Sequence, residues 1–156
     1  MRQVVRRRSR ALISLASGES IKLRYDVDGR DFVTCGQASE DVKRTLKSIG
    51  IPSASIRRVS IAMYEGEINM VIHGGGGVAE VEIFDDEIKI VLADTGKGIA
   101  DIDKAMQEGF STATDDIREL GFGAGMGLPN MKKYSDEFRI ESRVGVGTTV
   151  TMTIKF

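Results

Sequence analysis

The sequence predicts an α/β (α+β) domain of two layers, in which a mixed, mostly antiparallel sheet is covered on one face by helices. Its 156 residues suffice for one domain, and a hydrophobic fraction of 41% supplies a sizeable core. The predicted elements follow the order β, α, α, ββ, α, loop, α, ββ. Strands that arrive in pairs joined by short turns favour antiparallel neighbours, and the helices between them favour a single helical layer.

One strand and two helices are predicted in the first half of the domain. The alternation of residues 21–27 predicts a strand, because successive side chains of a strand point to opposite faces. The pattern at 39–50 predicts a helix that begins at a serine and ends at a glycine. A second helix is expected to begin at Ser53 or Ser55 and to end near Ile72, before four consecutive glycines. It is apolar around most of its circumference, which predicts a buried helix.

Two hairpins and two helices are predicted in the second half. Each hairpin shows strand alternation on both sides of a turn sequence. The later helix is expected near Gly127, with Pro129 in its first turn, where a missing N–H costs nothing. The other predicted elements are strands at 78–84 and 87–93, a short helix at 102–110, a polar segment without periodicity at 111–124, and strands at 138–144 and 149–156.

An arginine-rich segment precedes the predicted domain. Residues 1–10 contain five arginines and no acid, which leaves 17 basic and 23 acidic residues in the rest of the chain. We therefore expect a basic N-terminal arm at 1–19, solvated or loosely helical, and a domain at 20–156. Contact of the arm with a partner, a membrane or nucleic acid is a less favoured alternative, and an export signal is the least favoured. The acidic domain argues against direct nucleic-acid binding.

Several classes of chemistry are disfavoured by composition. One cysteine and one histidine exclude an internal disulfide and a zinc site built from Cys and His, and they leave little room for a Ser-His-Asp triad. No apolar run approaches the roughly 18 residues of a membrane span. We therefore expect a cytoplasmic protein without a membrane partner.

A polar stripe interrupts the apolar second helix. Glu65, Asn69 and His73 recur every fourth residue, so each lies about 40° around the helix from the previous one. A buried carboxylate is costly unless it is paired or ligated. Either the stripe is a salt-bridged structural patch, or Glu65 and Asn69 face a site in which the carboxylate takes a proton and the amide oxygen helps to hold magnesium. For His73, a structural hydrogen bond is favoured over ligation.

An acidic residue follows the strand that ends near Ala93. The sequence Asp94-x-Gly96-x-Gly98 places a carboxylate acceptor in a tight loop, where it could bind an exocyclic amine such as that of adenine. A plain turn explains the same pattern equally well.

Alternating glycines lead into the helix near Gly127. Residues 121–127 read Gly-Phe-Gly-Ala-Gly-Met-Gly, which frees backbone N–H groups to face an anion at a helix N-terminus. No Walker motif and no dinucleotide fingerprint surrounds them. A flexible hinge is the alternative. A further Gly-x-Gly-Thr sequence at 145–148 is by itself a hairpin turn.

The order and spacing of these motifs resemble the Bergerat ATP-binding fold, the superfamily of gyrase, histidine kinases and MutL. The resemblance covers about residues 20–156. Within the superfamily the chain is most similar to the small bacterial anti-sigma-factor serine kinases, including the switch kinases of partner-switching modules. The narrower resemblance rests on the sequences at 125–129, 136–138 and 147–150.

The resemblance implies a role for each motif residue. Asn69 would coordinate magnesium, Asp94 would accept the adenine amino group, and residues 109–124 would form a short ATP lid. The remaining nucleotide-binding residues would be Gly96 and Gly98 at the adenine pocket, Gly123, Gly125, Met126, Gly127 and Leu128 around the phosphates, and Thr148 at the adenine end.

Glu65 distinguishes the serine kinases of the superfamily from its histidine kinases, because histidine kinases usually carry asparagine or histidine at this position. A serine hydroxyl must lose a proton during attack, so a positioned carboxylate favours transfer to a hydroxyl, or hydrolysis. The resulting hypothesis is an ATP- and magnesium-dependent protein serine/threonine kinase that phosphorylates a STAS-type anti-anti-sigma partner.

Two alternative functions remain at this point. The first is a nucleotide-dependent binding protein that sequesters a sigma factor or another regulator with little turnover. The second is the detached catalytic domain of a two-component histidine kinase, which Glu65 disfavours. A homodimer formed through the sheet edge is plausible from the resemblance.

Overall fold

The computed structural model describes residues 18–115 and 125–156. Residues 1–17 of the expected basic arm therefore lie outside the described residues. The strands are β1 (Ile21–Asp28), β2 (Gly76–Ile83), β3 (Glu87–Asp94), β4 (Glu137–Arg143) and β5 (Gly147–Lys155). The helices are α1 (Gln37–Ser48), α2 (Ser53–Ile72), α3 (Ile102–Ala105) and α4 (Gly127–Tyr134).

The described strands form one sheet in the order β1-β2-β3-β5-β4. Each pair of neighbours is antiparallel, so no parallel pairing occurs among these strands, although the sequence analysis allowed a mixed sheet. The reason lies in the connections. Two helices in succession join β1 to β2 and return the chain to the end of the sheet at which β1 finished, so β2 runs in the opposite direction.

The core lies between one face of the sheet and helices α1, α2 and α4, which confirms the two-layer prediction. Helix α2 is central and packs against both α1 and α4. Gly66 allows α2 to approach the sheet, because a Cβ at this position would lie 2.1 Å from Leu92 Cδ1 on β3. The apolar side chains that the core buries most completely are Val42, Leu46, Val59, Met63, Ile83, Ile88, Ile90, Met131, Met152 and Ile154.

Helix α1 begins two residues before the predicted serine start. Gly36 precedes it with a φ of 98°, and no side chain of the N-cap residue closes the helix end. Ser39 lies inside the first turn, where its hydroxyl donates to the carboxylate of Glu67 on α2. The helix start is therefore determined by a side chain from another helix, which local sequence does not reveal.

Helix α3 has only four residues, so the predicted helix at 102–110 is too long. The helix ends at Ala105, and Gly109 beyond it has a φ of 82°, which lies outside the helical region. The N–H of Gly109 donates to the carbonyl oxygen of Gly125 at 3.0 Å instead of continuing the helix. A tertiary contact with the glycine motif thus replaces the second turn of the predicted helix.

Candidate active site

A cavity of about 760 Å³ opens between α2, the loop that follows β3, the start of α4 and the β4–β5 hairpin. The predicted residues in its wall are Glu65, Asn69, Asp94, Gly98, Gly125, Met126, Gly127, Leu128 and Thr148. Gly96 lies behind the wall and not in it, and Gly123 lies outside the described residues. The fold therefore brings motifs from four separate segments to one cavity.

Asp94 is held in place by two backbone donors. Its Oδ1 accepts hydrogen bonds from the N–H of Gly96 at 3.0 Å and from the N–H of Thr148 at 3.1 Å. Among the described residues, no donor contacts the other carboxylate oxygen, Oδ2. One oxygen of Asp94 is thus fixed, and the second remains able to accept a hydrogen bond from a ligand.

Three glycines pack tightly around this carboxylate. A Cβ at Gly74 would lie 2.5 Å from Asp94 Cγ, and a Cβ at Gly96 would lie 2.5 Å from Gly74 Cα. Gly98 has a φ of 75°, and its Cβ would lie 2.3 Å from the carbonyl oxygen of Arg143. These positions require glycine because backbone segments approach each other there.

Thr148 joins the last hairpin to the same end of the cavity. Its N–H donates to Asp94, and its hydroxyl lies 2.7 Å from the Ser142 hydroxyl. Ser142 Oγ in turn accepts from the N–H of Ile99 at 2.7 Å. These hydrogen bonds join the β4–β5 hairpin and the loop after β3 into one wall of the cavity. A simple hairpin turn at 145–148 would not need them.

Glu65 and Asn69 face the N-terminus of α4 at the other end of the cavity. Asn130 Nδ2 donates to Glu65 Oε1 at 3.2 Å. A Cβ at Gly127 would lie 3.2 Å from both amide atoms of Asn69 and 3.4 Å from Glu65 Oε2. Within the described part of the chain, no hydrogen bond is formed by the Asn69 amide or by Glu65 Oε2. The polar stripe therefore faces a cavity, and it is not a salt-bridged structural patch.

His73 ends the stripe and also lines the cavity. Its pKa is lowered, mainly because burial disfavours the charged form and also because Lys97 is near, whereas Asp94 opposes the shift. The imidazole is accordingly neutral near pH 7. Its ring forms no hydrogen bond with any described residue, so the structural bond favoured from the sequence is not found there.

Glu67 is the buried carboxylate of α2. The sequence analysis missed it, because it assigned the cost of burying a carboxylate to Glu65. Glu65 is partly exposed, whereas Glu67 is only 3% exposed. Oε1 of Glu67 accepts from the N–H groups of Gly36 and Ala38, and Oε2 accepts from the N–H and hydroxyl of Ser39. The sequence did contain a signal for the burial of Glu67: it lies four residues after Met63 and three before Met70, on the same side of the helix as these two buried residues.

Gly125 connects the cavity to the segment after α3. Its φ is 78°, and a Cβ there would lie 2.4 Å from the carbonyl carbon of Gly109. Lys104 Nζ lies 5.0 Å from the centroid of the Phe110 ring, which also lines the cavity. The backbone at Gly109, where the expected lid begins, is therefore in contact with the backbone at Gly125, just after the lid. Residues 116–124 of the lid lie outside the described residues.

Within residues 18–115 and 125–156, no three His, Cys, Asp or Glu side chains are grouped so that they could hold a metal ion. None of the helices in these ranges has the length and apolar character needed to cross a membrane.

The fold and the cavity define an ATP-binding domain of the histidine-kinase type. A family model described as the histidine kinase-like ATPase domain matches residues 19–154. This chain belongs to that family, and it therefore uses ATP.

Its relatives include a serine/threonine-protein kinase and anti-sigma F factors. The serine/threonine-protein kinase RsbT of Bacillus subtilis (strain 168) is 33% identical over 124 residues, which cover 77% of this chain and 85% of the relative. The anti-sigma F factor of Thermoanaerobacter sp. (strain X514) is 39% identical over 103 residues, which cover 63% of this chain and 68% of the relative. The anti-sigma F factor of Clostridium botulinum (strain Eklund 17B / Type B) is 37% identical over 107 residues, covering 65% and 71%. These matches confirm the predicted kinship with serine/threonine kinases of the anti-sigma-factor type.

Proposed function

We propose that this chain is an ATP- and magnesium-dependent protein serine/threonine kinase that phosphorylates a STAS-domain anti-anti-sigma protein and thereby regulates transcription. The observation that carries the proposal is the placement of Glu65 and Asn69 side by side at the N-terminus of α4. The names of the relatives, a serine/threonine-protein kinase and anti-sigma F factors, support it.

Asp94 determines the adenine end of the proposed site. Its Oδ1 is occupied by two backbone N–H groups, so Oδ2 is the acceptor for the adenine amino group. Gly98 keeps the backbone of the loop close to the hairpin, and Thr148 fixes the carboxylate from the opposite side.

Asn69 and the start of α4 form the phosphate end. Backbone N–H groups of Gly125, Met126, Gly127 and Leu128 lie at a helix N-terminus, which favours anions. The free amide oxygen of Asn69 suits a hard cation that shares its other ligands with phosphates and water, and the absence of Cβ at Gly127 leaves space beside it. Magnesium held there would neutralise charge on the phosphates.

Glu65 is the proposed general base. Asn130 orients the carboxylate through Oε1, which leaves Oε2 directed to the cavity. A serine hydroxyl that attacks the terminal phosphorus of ATP transfers its proton to Oε2, the phosphoryl group passes to the serine oxygen, and ADP leaves. A neutral amide at position 65 has no capacity to take that proton.

Incubation with labelled ATP, magnesium and STAS-domain proteins of the same organism tests the proposed function. We expect label to pass to a serine or threonine of one of these proteins. The kinase proposal fails if none accepts label and Glu65→Gln behaves like the wild type in ATP turnover.

Asp94→Asn is expected to weaken Mg-ADP binding by about 10- to 100-fold, because its amide would present a donor where adenine also presents one. Wild type should prefer ADP to inosine diphosphate, whose base has an acceptor oxygen in place of the amine, and the variant should lose this preference. Calorimetry with both nucleotides measures the change, with Asp86→Asn in the exposed β2–β3 turn as the matched control. Unchanged selectivity would remove Asp94 from the adenine pocket.

Sequestration of a regulator with little turnover is the second candidate, and the anti-sigma F factor relatives favour it. Titration of a sigma factor with and without ATP distinguishes it, because tight nucleotide-dependent binding without phosphorylation is the expected result. Glu65 argues against a detached histidine-kinase domain. The proposal also includes a cytoplasmic location and a boundary at residue 20 between the basic arm and the domain. It further includes a homodimer formed through one of the sheet edges, β1 or β4.

A further inference from the structure

Four exposed cations lie on the outer surface of the α1–α2 hairpin. Lys43, Arg44 and Lys47 on α1 and Arg57 on α2 are all exposed. Lys43 lies 3.8 Å from Glu40, whereas Arg44, Lys47 and Arg57 form no ion pair with any described residue. We call this set, together with the two apolar residues below, the hairpin surface.

The two helices are antiparallel, which brings Lys47 and Arg57 to the same end of the hairpin. The start of α1 contacts Glu67 near the end of α2, and only four residues connect the other ends. Lys47 and Arg57 therefore lie at the end of the hairpin farther from Glu67. Neither Asp41, which accepts from the Tyr25 hydroxyl, nor the buried Glu67 forms an ion pair with these cations.

Two apolar side chains are exposed at the opposite end of the hairpin surface, and one of them, Tyr64, lines the cavity. Val33 is 94% exposed and Tyr64 is 42% exposed. The Tyr64 ring packs on Gly36, where a Cβ would lie 2.9 Å from Tyr64 Cε2, and it also lines the cavity next to Glu65. Tyr64 thus belongs both to the outer surface and to the active site.

The loop that carries Val33 is fixed at both ends. Asp31 accepts hydrogen bonds from the N–H groups of Val33 and Thr34 and from the Thr34 hydroxyl. At the other end the N–H of Gly36 donates to Glu67 at 2.9 Å. The exposure of Val33 is therefore a consequence of an ordered backbone.

We infer that the hairpin surface is the docking site for the protein that supplies the acceptor hydroxyl, and that this protein presents an acidic face with an apolar contact beside its serine or threonine. The inference rests on the proposed function. Arg44, Lys47 and Arg57, which form no ion pair among the described residues, favour an acidic protein by charge complementarity. Tyr64 supplies an apolar anchor next to the general base, and Val33 supplies a second one in the loop before α1. From Arg57 to Tyr64 the surface extends about 10 Å along α2, a span that suits a protein and exceeds a small ion.

The double variant Lys47→Glu/Arg57→Glu tests the inference. The matched control is Lys132→Glu/Lys133→Glu, because these residues are also exposed, basic and helical but lie on α4, on the other side of α2. Binding of a purified STAS-domain protein from the same organism is measured in Mg-ADP by interferometry. We expect the dissociation constant to rise at least about tenfold for the hairpin variant and to change less than about twofold for the control.

Further measurements separate this inference from the proposed function. Mg-ADP affinity should be equal in both variants and the wild type, and binding of the STAS protein should weaken with salt less steeply in the hairpin variant. Val33→Ser should also weaken binding without altering Mg-ADP affinity.

If the hairpin variant phosphorylates the STAS protein and binds it as tightly as the wild type does, the docking site is overturned and the kinase proposal is left intact. Surface-dependent binding without phosphorylation supports the docking site and rejects the kinase. If wild type binds no STAS protein, or the hairpin variant alters only self-association in sedimentation, the docking inference is overturned.

Discussion

Glu65→Gln is expected to lower the rate of phosphoryl transfer by about 10²- to 10⁴-fold, the range typical of a lost general base. Glutamine is nearly isosteric and can still accept the hydrogen bond from Asn130 through its amide oxygen. Affinity for Mg-ADP should therefore stay within about twofold of wild type, because only the capacity to take a proton is removed. Single-turnover transfer to the STAS protein and calorimetry with Mg-ADP measure the two quantities.

Glu137→Gln on β4 is the control for this variant, since Glu137 is exposed, does not line the cavity and lies outside the hairpin surface. Its transfer rate should match that of wild type. Asn130→Ala should have a smaller effect than Glu65→Gln, because it frees the carboxylate to rotate without removing it. Equal transfer by Glu65→Gln and wild type would exclude Glu65 as the base.

Glu67→Gln is expected to lower the free energy of unfolding by about 2–4 kcal/mol and the Tm by roughly 5–15 °C. The wild-type carboxylate accepts from three N–H groups and one hydroxyl at 2.7–3.3 Å in a buried position. A glutamine amide offers one acceptor oxygen, and its NH₂ group would face the donor N–H of Ser39. The start of α1 would then contain buried N–H groups without acceptors.

Thermal and urea unfolding measure this change, again with Glu137→Gln as the control, whose effect should be below about 0.5 kcal/mol. Hydrogen exchange should show the largest loss of protection at residues 36–39. A variant as stable as wild type would mean that the buried carboxylate contributes no net stability and that α1 begins at Gln37 for another reason.

Much of the site followed from local patterns. The four-residue spacing of Glu65 and Asn69 places both on one side of a helix in any context, and a loop of two glycines after a strand leaves Asp94 at the strand end. The family resemblance then assigned these motifs to one pocket, and the cavity contains them together with Thr148.

Other features needed contacts between distant segments. Asn130 became part of the site because α4 packs against α2, and its sequence context carries no motif. Gly96 supports the wall from behind, since its position depends on Gly74 and not on a ligand. The length of α3 depended on a hydrogen bond between Gly109 and Gly125.

The sequence alone established the order of the elements, the apolar faces of the helices and strands, and the identity of the polar residues available for chemistry, because these depend on composition and on the periods of helix and strand. The tertiary structure decided which glutamate of α2 is buried and which one faces the cavity. Periodicity gives the angle between Glu65 and Glu67 on the helix, but the direction of each depends on where α1, α4 and the sheet pack around it.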